Sequence, residues 1–358
     1  MRKILVYQYI TQLKKFGVEF RCAIIGLGRI GCGFDDDPNK KSINTHAGAY
    51  VSKKNVKLVA LCDIDTFKLT KYGKKYNVSE LYTDYKKMFA ESQLDCVSIC
   101  TLSDSHLEIV KEAVKYNVKG IFLEKPISNS LSDAREIVRI CKKYKVKLQI
   151  DFQRRFDPFY HLVKKIITDK KFGKIQHSSI HYGAGIANTG SHFFDLIRFL
   201  FGDINAVKGE FSQNISNNTA DPNIDGLIIC ENGVKCSIHA LNVKNYGILE
   251  LDILGSNARI RLNLAKSTLE YFEINSKKGL VYKELIEKPL KIPPRKDAIV
   301  LGLESLLKSI QNDSEPMCNG NDGYYSLEAT LAIIRSARNN SVLVNLPLKT
   351  DTYKVSSK

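Results

Sequence analysis

Cys22-Ala23-Ile24-Ile25-Gly26-Leu27-Gly28-Arg29-Ile30-Gly31 joins a short apolar run to a Gly-x-Gly-x-x-Gly spacing. The apolar run reads as a buried strand, and each glycine has a mechanical reason. Gly26 permits the tight turn out of the strand. Gly28 lets the backbone approach a pyrophosphate, and Gly31 allows close packing of a helix on the sheet. Arg29 and Ile30 ride on the same turn, at the helix N-terminus where phosphates are favoured. The stretch therefore predicts the first βα turn of a dinucleotide-binding α/β fold.

The pattern around it agrees. From Phe20 to about Gln149, apolar runs near 21–26, 56–63, 96–101, 120–124 and 145–150 alternate with amphipathic stretches near 67–77, 84–91, 105–117 and 131–144. Strand–helix alternation at this interval implies right-handed crossovers and a parallel, doubly wound sheet, a Rossmann domain over 20–149. Ser128 to Ser132 supplies caps for the helix that starts at Leu131. After Ile150 the grammar changes. Helices are expected at about 158–169 and 191–201. Strand-like runs follow at 204–213, 225–231, 234–243, 247–254, 257–263 and 268–275, with helices near 297–312 and 323–339. Turns such as Glu231-Asn232-Gly233 and Gly255-Ser256-Asn257 make neighbouring runs hairpins. The second unit, 150–347, thus reads as an α+β domain with an open, mostly antiparallel sheet and helices on one face. Residues 1–19 read as an N-terminal extension and 348–358 as a tail.

Composition narrows the partners. The 358-residue chain carries a formal charge of +16, but its lysines are spread along the sequence with no aromatic-interleaved basic block. This argues against a nucleic-acid partner and leaves a mild attraction for phosphorylated ligands. The nine cysteines are scattered, several of them inside apolar runs, which fits a reduced cytoplasm. Cys96 and Cys100 lack a second ligand pair at zinc spacing, and the adjacent acids Asp35–Asp37 read as a solvated loop, so no metal is assigned. Met1–Phe20 is too short and too charged to span a bilayer and has no small-residue cleavage site, so no membrane segment is expected.

The acid expected on the adenosine ribose is Asp63, at the end of the second strand. It lies 32 residues after Gly31, against about 20 in the usual fingerprint. A polar loop inserted at 33–42 explains the delay. Asp63 can accept from both ribose hydroxyls and would repel a 2′-phosphate, while Ile64 offers no positive charge. NAD is favoured over NADP. Thr101 ends the next strand and His106 follows it, each placed over the cofactor edge; a packed first-turn histidine is the alternative for His106.

The run Gly120-Ile121-Phe122-Leu123 leads to Glu124-Lys125-Pro126, which brings a lysine to a later strand of the same sheet. With this motif, Gly26–Gly31, Thr101–His106 and Gly190-Ser191-His192-Phe193-Phe194-Asp195, the chain resembles the glucose-fructose oxidoreductase/inositol dehydrogenase/rhizopine-catabolism (Gfo/Idh/MocA) oxidoreductases. A weaker element is Asn321-Asp322-Gly323 leading to Ser336-Ala337. The resemblance covers about residues 20–347. It implies hydride transfer between a nicotinamide and a CH–OH group. Lys125 would lie beside nicotinamide and substrate, next to Glu124, and His192 would act as acid/base. Chemistry agrees: alcohol oxidation releases a proton, which suits histidine, and a cation steadies the developing oxyanion. Asp195 either orients His192 or pairs locally.

One departure narrows the substrate. Many relatives carry Asp-x-Gly-x-His, whereas this chain has Asn188-Thr189-Gly190-Ser191-His192. Asparagine can hold a hydroxyl but takes no proton. The variant resembles relatives acting on nucleotide-linked sugars, which makes a sugar or nucleotide sugar the expected substrate, in a role such as surface-polysaccharide sugar biosynthesis. Arg154 and Arg155 would meet its carboxylate or phosphate, or else pair with Asp151 or Asp157, and Tyr182 is a further pocket candidate. The resemblance also implies a homodimer or homotetramer. A redox-neutral NAD-dependent glycosidase and a non-catalytic NAD-binding regulator are the alternatives.

Overall fold

The computed structural model describes residues 19–39, 41–275, 282–349 and 353–355. All but Glu19 of the expected extension, and part of the expected tail, lie outside these residues.

Six strands form the first sheet: β1 (Phe20–Ile25), β2 (Val56–Cys62), β3 (Glu80–Tyr82), β4 (Cys96–Ile99), β5 (Gly120–Leu123) and β6 (Lys147–Ile150). All pair in parallel, in the order β3-β2-β1-β4-β5-β6. Cys22, Ala23 and Ile24 of the central β1 are wholly buried. A parallel strand covered on both faces reads as continuous apolar sequence rather than alternation. The crossovers use α1 (His46–Val51), α2 (Thr66–Tyr76), α3 (Tyr85–Glu91), α4 (His106–Ala113) and α5 (Leu131–Lys143). Asp65, Asp84 and Ser130 cap α2, α3 and α5 by accepting first-turn N–H groups. The three-residue β3 and the short α1 are additions to the expected pattern; neither is long enough to show a period. Strand order reverses between β1 and β4, and a crevice opens there at the strands' carboxyl ends.

The second sheet has nine strands: β7 (Ile175–Tyr182), β8 (Ile204–Phe211), β9 (Ile224–Cys230), β10 (Lys235–Ala240), β11 (Glu250–Gly255), β12 (Ala258–Asn263), β13 (Thr268–Ile274), β14 (Leu285–Lys288) and β15 (Val344–Asn345). Their order is β14-β13-β12-β11-β7-β10-β9-β8-β15. The pairing is antiparallel except for β7 with β10. β7, β14 and β15 lie outside the expected runs; β7, the longest of them, hides because its alternating positions are Ser178, Ile180 and Tyr182, two of them polar. It separates β10 from β11, so those two runs do not form a hairpin.

Four more helices complete the fold: α6 (Pro158–Thr168), α7 (Ser191–Phe201), α8 (Ala298–Asn312) and α9 (Gly320–Arg338). α7 and α9 pack together, and α9 lies on β8 and β9. α8 instead crosses back onto the first sheet, covering β5 and β6. Its Gly302 is required there, because a Cβ would meet the ring of Phe156 at 2.7 Å. Among the described residues no helix is long and apolar enough to cross a membrane.

Candidate active site

The turn after β1 is built for close approach. Gly26 has φ of 92°, and a Cβ on it would lie 2.7 Å from the Cys100 carbonyl, where β1 and β4 end side by side. A Cβ on Gly31 would lie 2.2 Å from the carbonyl oxygen of Gly26, so Gly31 lets the helical turn pack down. Gly28 has nothing within 4 Å of its Cβ position. It faces the cleft with Arg29 and Ile30. This is a cradle that a side chain would fill and a pyrophosphate would fit.

The helix after the cradle is interrupted. Cys32 and Gly33 donate to the Gly28 carbonyl and Phe34 to that of Arg29. His46 then donates to Ile30 and Ala47 to Gly31, at 3.1 and 3.0 Å. The chain leaves a helical turn at Gly33 and re-enters it at His46 in register, so the insertion is an excursion from one crossover helix. Its acids are anchors rather than a solvated run. Asp36 accepts from Lys71, Tyr72 and Lys75, each at 2.7 Å, and Asp35 accepts from Asn44 N–H and the Thr45 hydroxyl. Phe34, Ile43 and Asn44 of this loop reach the cleft.

The cleft has a volume of about 620 Å³ and runs between the two sheets. Thr101, Glu124 and Lys125 line its floor, and Asn188, His192 and Arg154 its opposite side. Gly185–Gly190 forms a single π-helical turn: Gly190 donates to the Gly185 carbonyl at 3.2 Å. Asp221 fixes this turn by accepting from the N–H groups of Ala187 and Asn188, at 2.7 and 2.8 Å. Burial raises the Asp221 carboxyl to about 6, against these bonds. The turn in turn holds Asn188, whose backbone and side-chain oxygens accept from Lys125 Nζ at 3.0 and 3.2 Å. The two halves of the chain are thus bonded through the lysine.

His192 lies one turn beyond Asn188, edge-on to the ring of Phe152 at 5.8 Å. Burial, reinforced by the cations Lys125 and Arg154, holds its imidazole well below the ordinary histidine value, so it is neutral at pH 7. Burial also pulls the Lys125 ammonium down, and the charges of Glu124 and Asp221 oppose this.

Behind Lys125 sits a group that the sequence reading missed. His46, Glu124 and Asp151 are buried, with donor atoms within 4.8 Å of one another. Among the described residues it is the one cluster of metal-ligand type. Within it His46 Nε2 contacts Glu124 Oε1 at 3.1 Å, and Nδ1 contacts Ser98 Oγ at 2.8 Å.

Residues 20–152 match the model described as "Oxidoreductase family, NAD-binding Rossmann fold", and residues 179–346 match "Oxidoreductase family, C-terminal alpha/beta domain". The chain belongs to the Gfo/Idh/MocA oxidoreductase family. It is therefore an oxidoreductase with NAD as cofactor. D-apiose dehydrogenase of Paraburkholderia graminis is 24% identical, with 92% of each chain covered. Inositol 2-dehydrogenase of Rhizobium meliloti is 24% identical, covering 88% of this chain and 96% of its own. The WlbA dehydrogenase of Bordetella pertussis, solved with NADH and UDP-GlcNAcA, shares the fold with a TM-score of 0.74 at 22% identity, covering 92% of this chain and all of that one.

Several family-motif positions do other work here. Asp63 lies beside the cradle: Oδ2 accepts from Leu27 N–H at 2.6 Å and Oδ1 from Asp65 N–H at 2.9 Å. A carboxylate has further lone pairs for a ribose. Ile64 next to it is 91% exposed. His106 is buried and does not reach the cleft. Its ring nitrogens lie 3.1 and 3.2 Å from the carbonyls of Ile127 and Thr101, so it ties together the two loops that carry Thr101 and Lys125. Asp195 does not orient His192. It accepts from Arg155 Nε at 2.8 and 3.1 Å, and Arg155 Nη2 also reaches Asp322 at 3.1 Å. Arg155 is therefore a buried pairing residue, not a substrate contact, and only Arg154 faces the cleft. Tyr182 is also withdrawn from the pocket. It is wholly buried, donating to the Ile224 carbonyl and accepting from Ile224 N–H, both at 2.9 Å.

Tyr160, Arg295, Lys296 and Leu264 also line the cleft, as do Asp151 and Asp157, and nothing in the local sequence of the first four marks them. The Asp221 contact was equally hidden, since it joins positions more than thirty residues apart. All nine cysteines are free.

Proposed function

We propose that the chain oxidises a secondary hydroxyl of an anionic, nucleotide-linked sugar, with Lys125 and His192 as the reacting side chains. NAD supplies the hydride acceptor when bound. The cradle around Gly28 would hold its pyrophosphate, and Asp63 its adenosine ribose, which favours NAD over NADP.

Lys125 would donate to the substrate oxygen and stabilise the charge that develops as the hydride leaves. Neutral His192 has a lone pair free to take the hydroxyl proton. Asn188 supplies no base in this scheme; it holds the ammonium of Lys125 and contributes an amide to the sugar. Together these residues remove one proton and steady one oxyanion, which is what alcohol oxidation requires beyond the hydride.

The observation that favours an anionic substrate is Arg154. It lines the cleft, and its Nε is buried without a hydrogen-bond partner. A buried guanidinium N–H left open is costly, and a phosphate or carboxylate oxygen would satisfy it. Arg295 and Lys296 line the same cleft, with Asp157 and Asp297 beside them. The Bordetella relative solved with UDP-GlcNAcA is compatible with this reading. Cytoplasmic location and assembly as a homodimer or homotetramer belong to the same reading; native mass spectrometry would test the assembly, and cell fractionation the location.

The test is a panel of UDP-sugars, UDP-uronic acids, free pentoses and inositols incubated with NAD and followed by NADH absorbance. Nucleotide-linked acids should give a kcat/KM at least about tenfold above the free polyols, the worth of one charge-assisted bond. Arg154→Ala should raise KM for the acids by a similar factor. Turnover of free inositol with none of the nucleotide sugars would overturn the proposal.

A further inference from the structure

The buried group behind Lys125 has a proton arrangement that its hydrogen bonds define. Tyr50 is wholly buried, and its hydroxyl meets Ser98 Oγ at 2.8 Å. A phenol at that depth keeps its proton, and with Ser98 Oγ as its hydrogen-bond partner we assign it as the donor. The Ser98 proton is then directed to His46 Nδ1, 2.8 Å away. That sets the tautomer: Nε2 carries the ring proton and gives it to Glu124 Oε1 at 3.1 Å. Three donors in series therefore point at Glu124, the pattern expected around an ionised carboxylate.

Asp151 has the opposite surroundings. It is 3% exposed. Oδ2 accepts from Gln153 Nε2 at 3.0 Å and lies 3.8 Å from His46 Nε2, while Oδ1 is buried with no partner. A second full charge beside Glu124, with an uncompensated oxygen, is the costly state; two adjacent buried carboxyls do not both ionise.

We propose that Asp151 is a neutral carboxylic acid that donates to Glu124, so that the pair presents Lys125 with a single negative charge. Burial, and then the charge of Glu124, push the Asp151 carboxyl well above the usual carboxylate range. Burial raises Glu124 as well, and its hydrogen bond with Asp151 opposes that rise. Other groups face this pair and the ammonium. They are His46 from α1, Cys100 at the end of β4, Arg154 after β6, His192 from α7, and Asp221 from the segment before β9. His46 and His192 are neutral, and burial keeps the Cys100 thiol protonated. The charge balance on Lys125 is then set by Glu124 and Asp221 against Arg154. Asp151 is a positioning residue: it keeps Glu124 ionised and fixed, and Glu124 opposes the pull of burial on the ammonium. The kinetic consequence rests on the role proposed above for Lys125; the protonation state of Asp151 does not.

Infrared difference spectroscopy of the full-length protein with NAD, wild type minus Asp151→Asn, tests the protonation state without any substrate. A protonated-carboxyl C=O band should be present in the wild type at pH 7 and absent in the variant. Its absence in the wild type overturns the proposal. With a turned-over substrate from the panel, Asp151→Asn should stay within about threefold of wild-type kcat, because the amide still donates, and Asp151→Ala should fall about tenfold. Glu124→Gln should move the alkaline limb of kcat to lower pH. Equal losses in D151N and D151A would overturn the donation to Glu124, and an unmoved limb in E124Q would overturn the role of Lys125 rather than the protonation state of Asp151. Melting temperatures and NAD titration of each variant separate these effects from misfolding, and failure of the whole substrate panel leaves the infrared result decisive.

Discussion

Replacing Arg155 by methionine separates a substrate contact from a buried pairing residue. The guanidinium Nε donates to both oxygens of Asp195, at 2.8 and 3.1 Å, and Asp195 is 1% exposed. Removing the arginine leaves that carboxyl without its counter-charge, and breaking one side of a buried pair costs about 3–5 kcal/mol. Asp322 is partly spared, because Arg198 Nη1 remains 3.4 Å away and its other oxygen accepts from Asn319 N–H. Adding Asp195→Asn removes the stranded charge, so R155M/D195N should recover about 2 kcal/mol of the loss. The pH dependence follows from the Asp195 carboxyl, which burial, against the pull of Arg155, raises to about 6. A carboxyl raised on folding costs stability as pH climbs from its unfolded value to its folded one, so in the wild type that loss is complete by about 6. Without Arg155 the folded value rises further and the cost above pH 6 grows. The deficit of R155M should therefore be largest at pH 7–8 and shrink towards pH 5. Urea unfolding at several pH values measures this, with KM on an anionic substrate as the companion assay. Wild-type stability combined with a raised KM would instead return Arg155 to the pocket.

Tyr182→Phe removes the hydroxyl that serves both backbone groups of Ile224. It should cost about 1–3 kcal/mol in urea unfolding while leaving kcat unchanged; a fall in kcat at unaltered stability would contradict this. The glycines of the cradle should divide by role. Gly28→Val projects into open cleft, so calorimetric NAD binding should weaken by about tenfold or more with the melting temperature kept. Gly31→Ala places a Cβ against the Gly26 carbonyl oxygen and should destabilise by about 1–3 kcal/mol.

Five strands of the first sheet were legible because they are apolar and largely buried, and the longer helices between them show a clear period, whereas β3 and α1 are too short to do so. The glycine spacing located the cradle, and the late Asp63 betrayed the insertion. What the spacing did not reveal is that His46 resumes the interrupted helix, since that depends on backbone bonds from His46 and Ala47 across the excursion. In the second half, β7 escaped detection because it alternates polar and apolar residues on its buried face. Site residues divide along the same line. Lys125, Asn188 and His192 stand in compact motifs. Arg154 and Arg155 are neighbours of one type, and sequence cannot say which turns inward; the partners Asp195 and Asp322 decide it. Tyr182, His106 and Asp151 depend on contacts with loops distant in the chain, and no local signal separates a pocket residue from a buried one.

In the proposed reaction the Lys125 ammonium, held across the cleft by Asn188, takes part in the hydride-transfer step and is not needed to bind the dinucleotide. Lys125→Met tests it most directly, with NAD affinity measured by calorimetry and turnover by NADH absorbance on the same preparation. Affinity within about threefold of wild type, with kcat reduced by ~10²–10³-fold, is the predicted result for loss of one oxyanion donor. Turnover at the wild-type rate would contradict the claim.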